Sequence, residues 1–410
     1  MGSLKIKLIP IIILLSGPPA FRKTENTNNT LTPEVDIWII IQIIAYLVAF
    51  FLMLTHINKQ FKFKKNIFDY LIFANFFSLF VSCILSNDIV TSAAYTFLYF
   101  IGVYFYYYSK NYYFDINEQS IVYVYILIRN IFSILLLLVA FFYIFTEGYV
   151  ISGLRISGGR IANVLIICPI IFLISCFIYS TKYNNLLNKI CIVSSLFFLF
   201  FAYSRSTWWS TLFLTFFLFI KLYFFNSSNS KNVNIKFFFH FLVFSLIIIM
   251  ILYFSEIMNF LTRGQDDVFH LSGRDIIAEW VFSYMSENFF GLGAGTGFKR
   301  IFPTLIYYFD PLEMDPRNIG TAHNAYLEIF VSGGWISFVS YTLLSVFPLI
   351  FFIKNFKKIL KSNFYLLFLL FVLVISNNMV NATSTMPSYL AFSYSWLILA
   401  LINIYIYSKK

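Results

Sequence analysis

Arginines and a histidine stand at the edges of several apolar runs in this 410-residue chain. Arg155, Arg205 and Arg274 occupy such positions, and His323 comes directly before another run. A guanidinium group binds phosphate through two parallel hydrogen bonds, which a lysine cannot do. An imidazole, whose ordinary pKa is about 6.5, can take a proton from a hydroxyl group at neutral pH. These residue types favour acid–base chemistry on an anionic substrate, although a lone histidine is weak evidence by itself.

The composition around these residues is that of a membrane protein. Hydrophobic residues make up 60% of the chain, charged residues 11%, and the mean hydropathy is +0.79, which excludes a water-soluble domain. Because about 20 apolar residues cross a bilayer core, we predict an all-α integral membrane protein with about 12 transmembrane helices. The predicted spans are 4–19, 37–56, 67–87, 89–108, 121–145, 161–181, 186–204, 207–225, 237–255, 324–353, 364–383 and 386–407.

The first predicted span is short, and two interpretations of it are open. Lys5 and Lys7 stand near its start and it ends in Gly17-Pro18-Pro19, a pattern that also suits a cleaved signal peptide. We expect it to be retained as a span.

Lysines indicate the orientation of the spans. They gather at alternate span ends, which the positive-inside rule assigns to the cytoplasm, so both termini are expected to be cytoplasmic. This placement also accounts for most of the net charge of +11, which in a soluble protein would suggest nucleic acid. The lysines concerned are Lys5, Lys7, Lys59, Lys62, Lys64, Lys65, Lys110, Lys182, Lys189, Lys221, Lys231, Lys236, Lys354, Lys357, Lys358, Lys361, Lys409 and Lys410.

Arginines show the opposite distribution. All except Arg129, which lies within a span and should face the bundle or a hydrated cavity, fall on the external side. An external anionic substrate explains this placement; pairing with the external carboxylates, or snorkelling in the case of Arg205, is the alternative. The external arginines are Arg22, Arg155, Arg160, Arg205, Arg263, Arg274, Arg300 and Arg317.

One long external connection separates the ninth and tenth spans. We divide the chain into an N-terminal transmembrane bundle of about nine spans (1–255), this loop (256–323) and about three C-terminal spans (324–410). Within the loop, apolar spacing predicts an amphipathic helix capped by Ser272, with Arg274 in its first turn, lying along the membrane surface. The glycine-rich segment 291–297 is only superficially similar to a phosphate-binding loop, and we interpret it as a flexible turn.

The four cysteines show no spacing suited to a metal site or a disulfide framework. We interpret them as small packing residues and predict neither a metal nor a cofactor. They are Cys83, Cys168, Cys176 and Cys191.

Four passages together carry a family resemblance. They are 155–163 opening a span; 204–206 between two spans; 272–274 with Trp280 and 290–293; and 323–328 with Gly333-Gly334. In order, spacing and external placement they resemble the Wzy/WaaL superfamily of O-antigen polymerases and ligases, over roughly residues 150–345.

The resemblance implies an enzyme of the inner membrane of a Gram-negative bacterium. Family members are glycosyltransferases that move a glycan from undecaprenyl pyrophosphate to an acceptor hydroxyl in the periplasm, without metal or nucleotide. It implies that Arg155, Arg205 and Arg274 bind the pyrophosphate and that His323 and Arg274 are catalytic; Arg160, Arg300 and Asn324 are further candidates. The implied partners are the lipid-linked oligosaccharide, membrane lipids and a chain-length regulator protein, but no nucleic acid.

Three functions are compatible with these patterns. The motif at 272–274, the glycine-rich segment and 323–326 are more similar to a Wzy-type polymerase, which extends a lipid-linked repeat unit, than to a WaaL-type ligase, which uses lipid A-core as acceptor. A flippase of lipid-linked sugars is the alternative from another class. Transporters, however, usually place charges at mid-membrane and build broken helices from repeated halves, whereas the charges here gather on one side.

Overall fold

The described part of the chain consists almost entirely of helices. A computed structural model describes residues 7–16, 37–56, 65–147, 151–152, 155–156, 161–201, 205–225, 274–295, 324–380 and 390–408. In chain order the elements are α1 (Ile9–Ser16), α2 (Ile37–His56), α3 (Ile67–Leu85), α4 (Ile89–Tyr112), α5 (Ser120–Glu147), β1 (Ile151–Ser152), β2 (Arg155–Ile156), α6 (Ile161–Tyr179), α7 (Leu186–Phe201), α8 (Arg205–Phe225), α9 (Arg274–Glu287), α10 (Ala325–Lys354), α11 (Phe356–Leu360), α12 (Tyr365–Val380) and α13 (Leu390–Ser408).

The predicted all-α membrane fold is confirmed. Every predicted span coincides with a helix except 237–255, which lies outside the described residues. Among the described residues, α3, α4, α10 and the Ser120–Leu138 part of α5 are long and apolar enough to cross a membrane, and shorter apolar segments lie within α2, α6, α7, α8, α12 and α13. The chain is therefore a multi-pass membrane protein.

Helices from the two ends of the sequence pack into a common bundle. α10 packs along α3, and α13 packs along α4. Where α4 and α13 meet, a Cβ atom on Gly102 would overlap the ring of Phe392 and lie 2.6 Å from Nε1 of Trp396. Small residues allow membrane helices to approach closely in this way. The bundle consequently brings N-terminal and C-terminal residues together.

Polar contacts between distant segments mark the end of the bundle that carries the lysines. Lys110 Nζ donates to both carboxylate oxygens of Asp69, each at 2.9 Å, and both side chains are buried. Asn66 Nδ2 donates to Asn403 Oδ1 at 2.9 Å, and Lys221 donates to the Ser362 carbonyl. Each contact joins residues that the lysine pattern assigns to the same side, which agrees with the predicted alternation of the spans.

Arg129 faces the bundle interior, as predicted. Only 2% of the residue is exposed, and its Nη1 donates to Asn188 Oδ1 at 2.8 Å. Its Nε and Nη2 both donate to Asn130 Oδ1. These amide oxygens are the acceptors that allow the charge to stay in the bundle.

Candidate functional site

At the end of the bundle opposite the Lys110–Asp69 pair, the start of α10 is the best-defined part of the candidate site. Asn324 is the N-cap, because its Oδ1 accepts hydrogen bonds from the backbone amides of Tyr326 at 2.9 Å and Leu327 at 3.2 Å. Its Nδ2 donates to the Met379 carbonyl at 3.1 Å. The cap therefore ties the first turn of α10 to the end of α12. His323 directly precedes this cap and lies outside the described residues.

Two turns further along, α10 is broken at Gly334, where φ is 76°. A break of this kind removes intrahelical partners from nearby carbonyl groups, which lipid cannot replace. The Val331 carbonyl accepts from Leu292 N at 2.9 Å, and the Ser332 carbonyl accepts from Gly293 N at 3.2 Å. On the other side, hydroxyl groups of α3 satisfy the exposed backbone. Ser82 donates to the Ser332 carbonyl and Ser78 donates to the Gly333 carbonyl.

We call the contact between Gly291, Gly293, Gly333 and Gly334 the glycine interlock. Gly291 has φ of +79° and Gly334 has φ of +76°, a region that side chains with a Cβ atom rarely occupy. A Cβ atom on Gly291 would lie 2.5 Å from the backbone nitrogen of Gly334, and one on Gly334 would overlap the Phe289 carbonyl. The two backbones therefore touch directly. The turn predicted here exists over 288–295, but it is packed, so the interpretation of that part as flexible was wrong.

Helix α9 is the amphipathic helix that the sequence predicts in the external loop. Ile277, Val281 and Met285 are completely buried, whereas Glu279 and Glu287 are exposed. The buried face packs on Leu327, Phe330 and Val331 of α10. Trp335 Nε1 also donates to the Met285 carbonyl at 3.1 Å. The apolar face of α9 is thus covered by α10, and a position of the helix along the membrane surface stays a prediction.

The arginines proposed to bind phosphate lie at element starts. Arg274 is the first residue of α9 and Arg205 is the first residue of α8, while Arg155 pairs with Ser152 in the β1–β2 hairpin. The structure describes the backbone of these three arginines. Arg160, Arg300 and the predicted cap Ser272 lie outside the described residues. A helix start presents free amide groups that favour anions, which suits the role predicted for Arg205 and Arg274.

The end of α3 and the start of α4 border the interlock. A Cβ atom on Gly293 would lie 2.5 Å from Ser86 Oγ, which places the glycine turn against this connection. Asp88 caps α4 by accepting from Thr91 N at 3.1 Å. Hydrogen bonds from the Thr91 side chain and backbone hold the pKa of the exposed Asp88 carboxyl group below its ordinary value. Asp88 is therefore charged at neutral pH.

A small cavity opens between α6, α8 and α12 at the same end of the bundle. Its polar lining comes from Thr207, Ser210, Ser376 and Asn377, and its apolar lining from Ile166, Leu373 and Val380. Val380 directly follows Met379, the residue bonded to Asn324. Sequence reasoning missed this cavity. The available signal was the presence of hydroxyl and amide groups inside apolar runs.

Comparison with known proteins identifies one matching family. Residues 190–342 match the family model described as O-antigen ligase, Wzy_C. The matched segment includes Arg205, Arg274, Arg300, His323 and Asn324; it leaves out Arg155 and Arg160. The search of curated proteins found no match. The family match supports the resemblance to the Wzy/WaaL superfamily and does not separate its polymerases from its ligases.

Proposed function

We propose, from this match to the Wzy/WaaL superfamily, that the chain is an O-antigen polymerase. It transfers a glycan from undecaprenyl pyrophosphate to a sugar hydroxyl of another lipid-linked repeat unit. The reaction takes place at the periplasmic face of the bacterial inner membrane, with both termini in the cytoplasm. The observation that carries the proposal is the family match over 190–342, because this segment contains Arg205, Arg274 and His323.

The packing of α9 on α10 supports a common site for Arg274 and His323. Ile277, one turn after Arg274, and Leu327, one turn after His323, belong to one buried cluster. The glycine interlock joins the far end of α9 to the middle of α10. The two segments that carry the proposed catalytic residues are thereby held against each other.

The arginines have an electrostatic role in this proposal. Negative charge grows on the pyrophosphate as the glycosidic bond breaks. Guanidinium groups fixed at Arg155, Arg205 and Arg274 would stabilise this developing charge more strongly than they stabilise the bound substrate. Arg160 and Arg300 are additional candidates for the same role.

His323 is the proposed general base. It would take the proton of the acceptor hydroxyl while the hydroxyl oxygen attacks the anomeric carbon from the face opposite the leaving pyrophosphate. The configuration at that carbon is then inverted. Asn324, as the N-cap, fixes the backbone that follows His323. The reaction as proposed uses neither a metal nor a nucleotide.

The ligase is the second candidate, because O-antigen ligase is the description of the matched family. In that case the same residues would transfer the finished glycan to lipid A-core. A flippase remains the candidate from another class. A chain-length regulator protein is a further partner that we propose for the polymerase.

Deletion of the gene separates these functions when lipopolysaccharide is viewed on a gel. A polymerase predicts loss of the ladder with a single capped repeat unit retained. Loss of all O-antigen from the core would show a ligase instead, and accumulation of lipid-linked units on the cytoplasmic face would show a flippase. An unchanged ladder would contradict all three. Complementation with the intact gene should restore the ladder.

A further inference from the structure

The connection between α10 and α12 carries four exposed lysines, which we call the lysine patch. Their spacing along the chain is that of residues on one side of a helix. Asn355 separates α10 from α11, and the backbone on both sides of it is helical. At the rise of a helix the patch extends over about 10 Å. It consists of Lys354, Lys357, Lys358 and Lys361.

The opposite side of α11 is anchored in the bundle. Ile359 and Leu360 are buried. The ring of Phe356 contacts Phe352 of α10, with ring centroids 5.5 Å apart, and Tyr365 of α12, with centroids 6.2 Å apart. These apolar contacts fix one side of the short helix, so the lysine patch has a defined position facing away from the bundle.

The adjoining helices place the lysine patch at the level of lipid head groups. α10 is long and apolar enough to cross a membrane and ends at Lys354, and the apolar helix α12 begins at Tyr365. A connection this short between two membrane helices stays at the membrane surface. The positive-inside rule predicts that this surface is the cytoplasmic one.

Positive charge is in excess at this connection. In the part of the chain that the structure describes, none of the four lysines forms an ion pair. One carboxylate contacts the connection, because Glu118 Oε2 accepts a hydrogen bond from the Asn363 amide at 2.5 Å. That carboxylate is held by the backbone and can offset only one of the four charges. A negatively charged ligand therefore complements the patch.

Clustering distinguishes the patch from other described lysines. Lys110 is buried and pairs with Asp69, and Lys221 is buried and donates to a backbone carbonyl. Lys182 and Lys189 are exposed, but they stand seven residues apart at the two ends of a turn and the start of α7. The positive-inside rule needs lysines on the correct side of the membrane, and it does not require them to share one exposed surface.

We propose that the lysine patch binds the phosphate groups of anionic phospholipids in the cytoplasmic leaflet. Ammonium groups on flexible side chains can follow phosphates at the membrane surface, and basic clusters beside a membrane helix attract anionic lipid. The ligand class is a phospholipid with net negative charge, such as phosphatidylglycerol. The proposal is independent of the proposed function, because it concerns the opposite end of the bundle and no step of the glycan transfer.

Thermal unfolding of the purified protein in detergent tests the proposal. The protein is titrated with short-chain phosphatidylglycerol and, separately, with phosphatidylcholine of the same chain length, which has no net charge. A ligand that binds the folded state raises its unfolding temperature. We expect phosphatidylglycerol to raise this temperature more than phosphatidylcholine does, and we expect high salt to weaken the difference.

The variant Lys357→Gln/Lys358→Gln removes two charges from the patch. We expect the phosphatidylglycerol concentration for half of the maximal temperature rise to increase at least about fivefold, which is the effect of one ammonium group near an anionic lipid surface. Lys357→Arg/Lys358→Arg keeps both charges and should keep the half-maximal concentration of the intact protein. The unfolding temperature without added lipid shows whether each variant is folded.

The matched control is Lys182→Gln/Lys189→Gln. It removes the same number of exposed charges from the same end of the bundle and leaves the patch intact. We expect it to keep the half-maximal concentration of the intact protein.

Three results would overturn the proposal. One is an unchanged half-maximal concentration in the patch variant. Another is an equal increase in the patch variant and the control, because loss of net charge alone would have that effect. The third is a temperature rise of the same size with phosphatidylcholine or with inorganic phosphate, because either would show that the patch does not select an anionic lipid.

Discussion

Arg274 is the residue whose side-chain chemistry distinguishes the proposed site most clearly from a general basic surface. It opens α9, where the free amide groups of a first turn reinforce anion binding. A guanidinium group adds two parallel donors, whereas an ammonium group acts as a single point charge. The proposed role therefore depends on the shape of the group as well as on its charge.

Arg274→Lys is expected to impair glycan assembly nearly as much as Arg274→Ala. The lysine keeps the positive charge but cannot bridge two phosphate oxygens. The measurement is the length of glycan chains on a gel after complementation of a deletion strain. Glu279→Gln is the control, because Glu279 lies exposed on the same helix and should leave chain length normal. Normal chains in the lysine variant would argue against a bidentate contact.

Residue types carried most of the site prediction. The distribution of arginine against lysine singled out eight external arginines, and the resemblance to the Wzy/WaaL superfamily selected Arg155, Arg205 and Arg274 among them. His323 was a candidate because it precedes a span, and the same resemblance implied its catalytic role. Ser78 and Ser82 could not be selected in the same way. Their hydroxyl groups matter because α10 breaks beside them, and that break is a property of the packed structure.

Helix α10 shows how one element can join the proposed catalytic segment to the bundle. Its first turn is capped by Asn324, and its middle is broken at Gly334. The break allows backbone atoms of the 288–295 turn to hydrogen-bond with carbonyls of α10. The 288–295 turn that follows α9 is consequently attached to the bundle through backbone contacts.

Gly334→Ala is expected to destabilise the protein by about 2 kcal/mol or more, because the left-handed backbone is costly for alanine and its Cβ would overlap a carbonyl group. Ser283→Ala is the control, because Ser283 lies exposed on α9 near the interlock and is not part of it. Thermal unfolding in detergent should give the larger loss for Gly334→Ala. Equal decreases in unfolding temperature for the two variants would contradict the importance of the backbone contact.

The buried ion pair between α3 and α4 gives a second prediction about elements. Lys110→Met alone should destabilise the protein by about 3–5 kcal/mol, because it leaves the Asp69 carboxylate buried without its ammonium partner. Lys110→Met combined with Asp69→Leu should recover much of this loss. Unfolding measurements on both single variants and the double variant test the pair. Additive losses would show that the two charges do not depend on each other.

The helices could be predicted from the sequence where their length and apolar content alone determine that they form. The spans could be predicted because a membrane helix needs about 20 apolar residues regardless of its neighbours. The glycine interlock could not be predicted, because it joins 291–293 to 331–334 across an intervening loop. No local sequence period encodes that pairing. The burial of α9 depends on the same long-range contact.

At the scale of the whole molecule, charge placement separates the two ends of the bundle. Among the described residues, the Lys110–Asp69 pair lies at one end of the bundle, and the start of α10, which is capped by Asn324, lies at the other end. The positive-inside rule predicts that the proposed site lies outside the cytoplasm. The proposed function requires this orientation, because its substrate would carry the glycan in the periplasm.

Cysteine labelling in whole cells tests this orientation. The four native cysteines are buried, so they should react little. Asn87→Cys, between α3 and α4, should react with a membrane-impermeant maleimide in cells whose outer membrane is permeable. Lys361→Cys, between α11 and α12, should react only after the inner membrane is opened. The reverse labelling pattern would show that the protein is inserted in the opposite orientation, with the proposed site on the cytoplasmic side.

The most direct test of the central claim is transfer by purified protein in vesicles supplied only with the lipid-linked repeat unit. The proposed polymerase should produce longer lipid-linked chains and release undecaprenyl pyrophosphate. His323→Ala should abolish both products while its unfolding temperature stays close to that of the intact protein. Chain growth that persists in His323→Ala would contradict the proposed general base. Failure of the intact protein to extend the repeat unit would contradict the proposed polymerase activity.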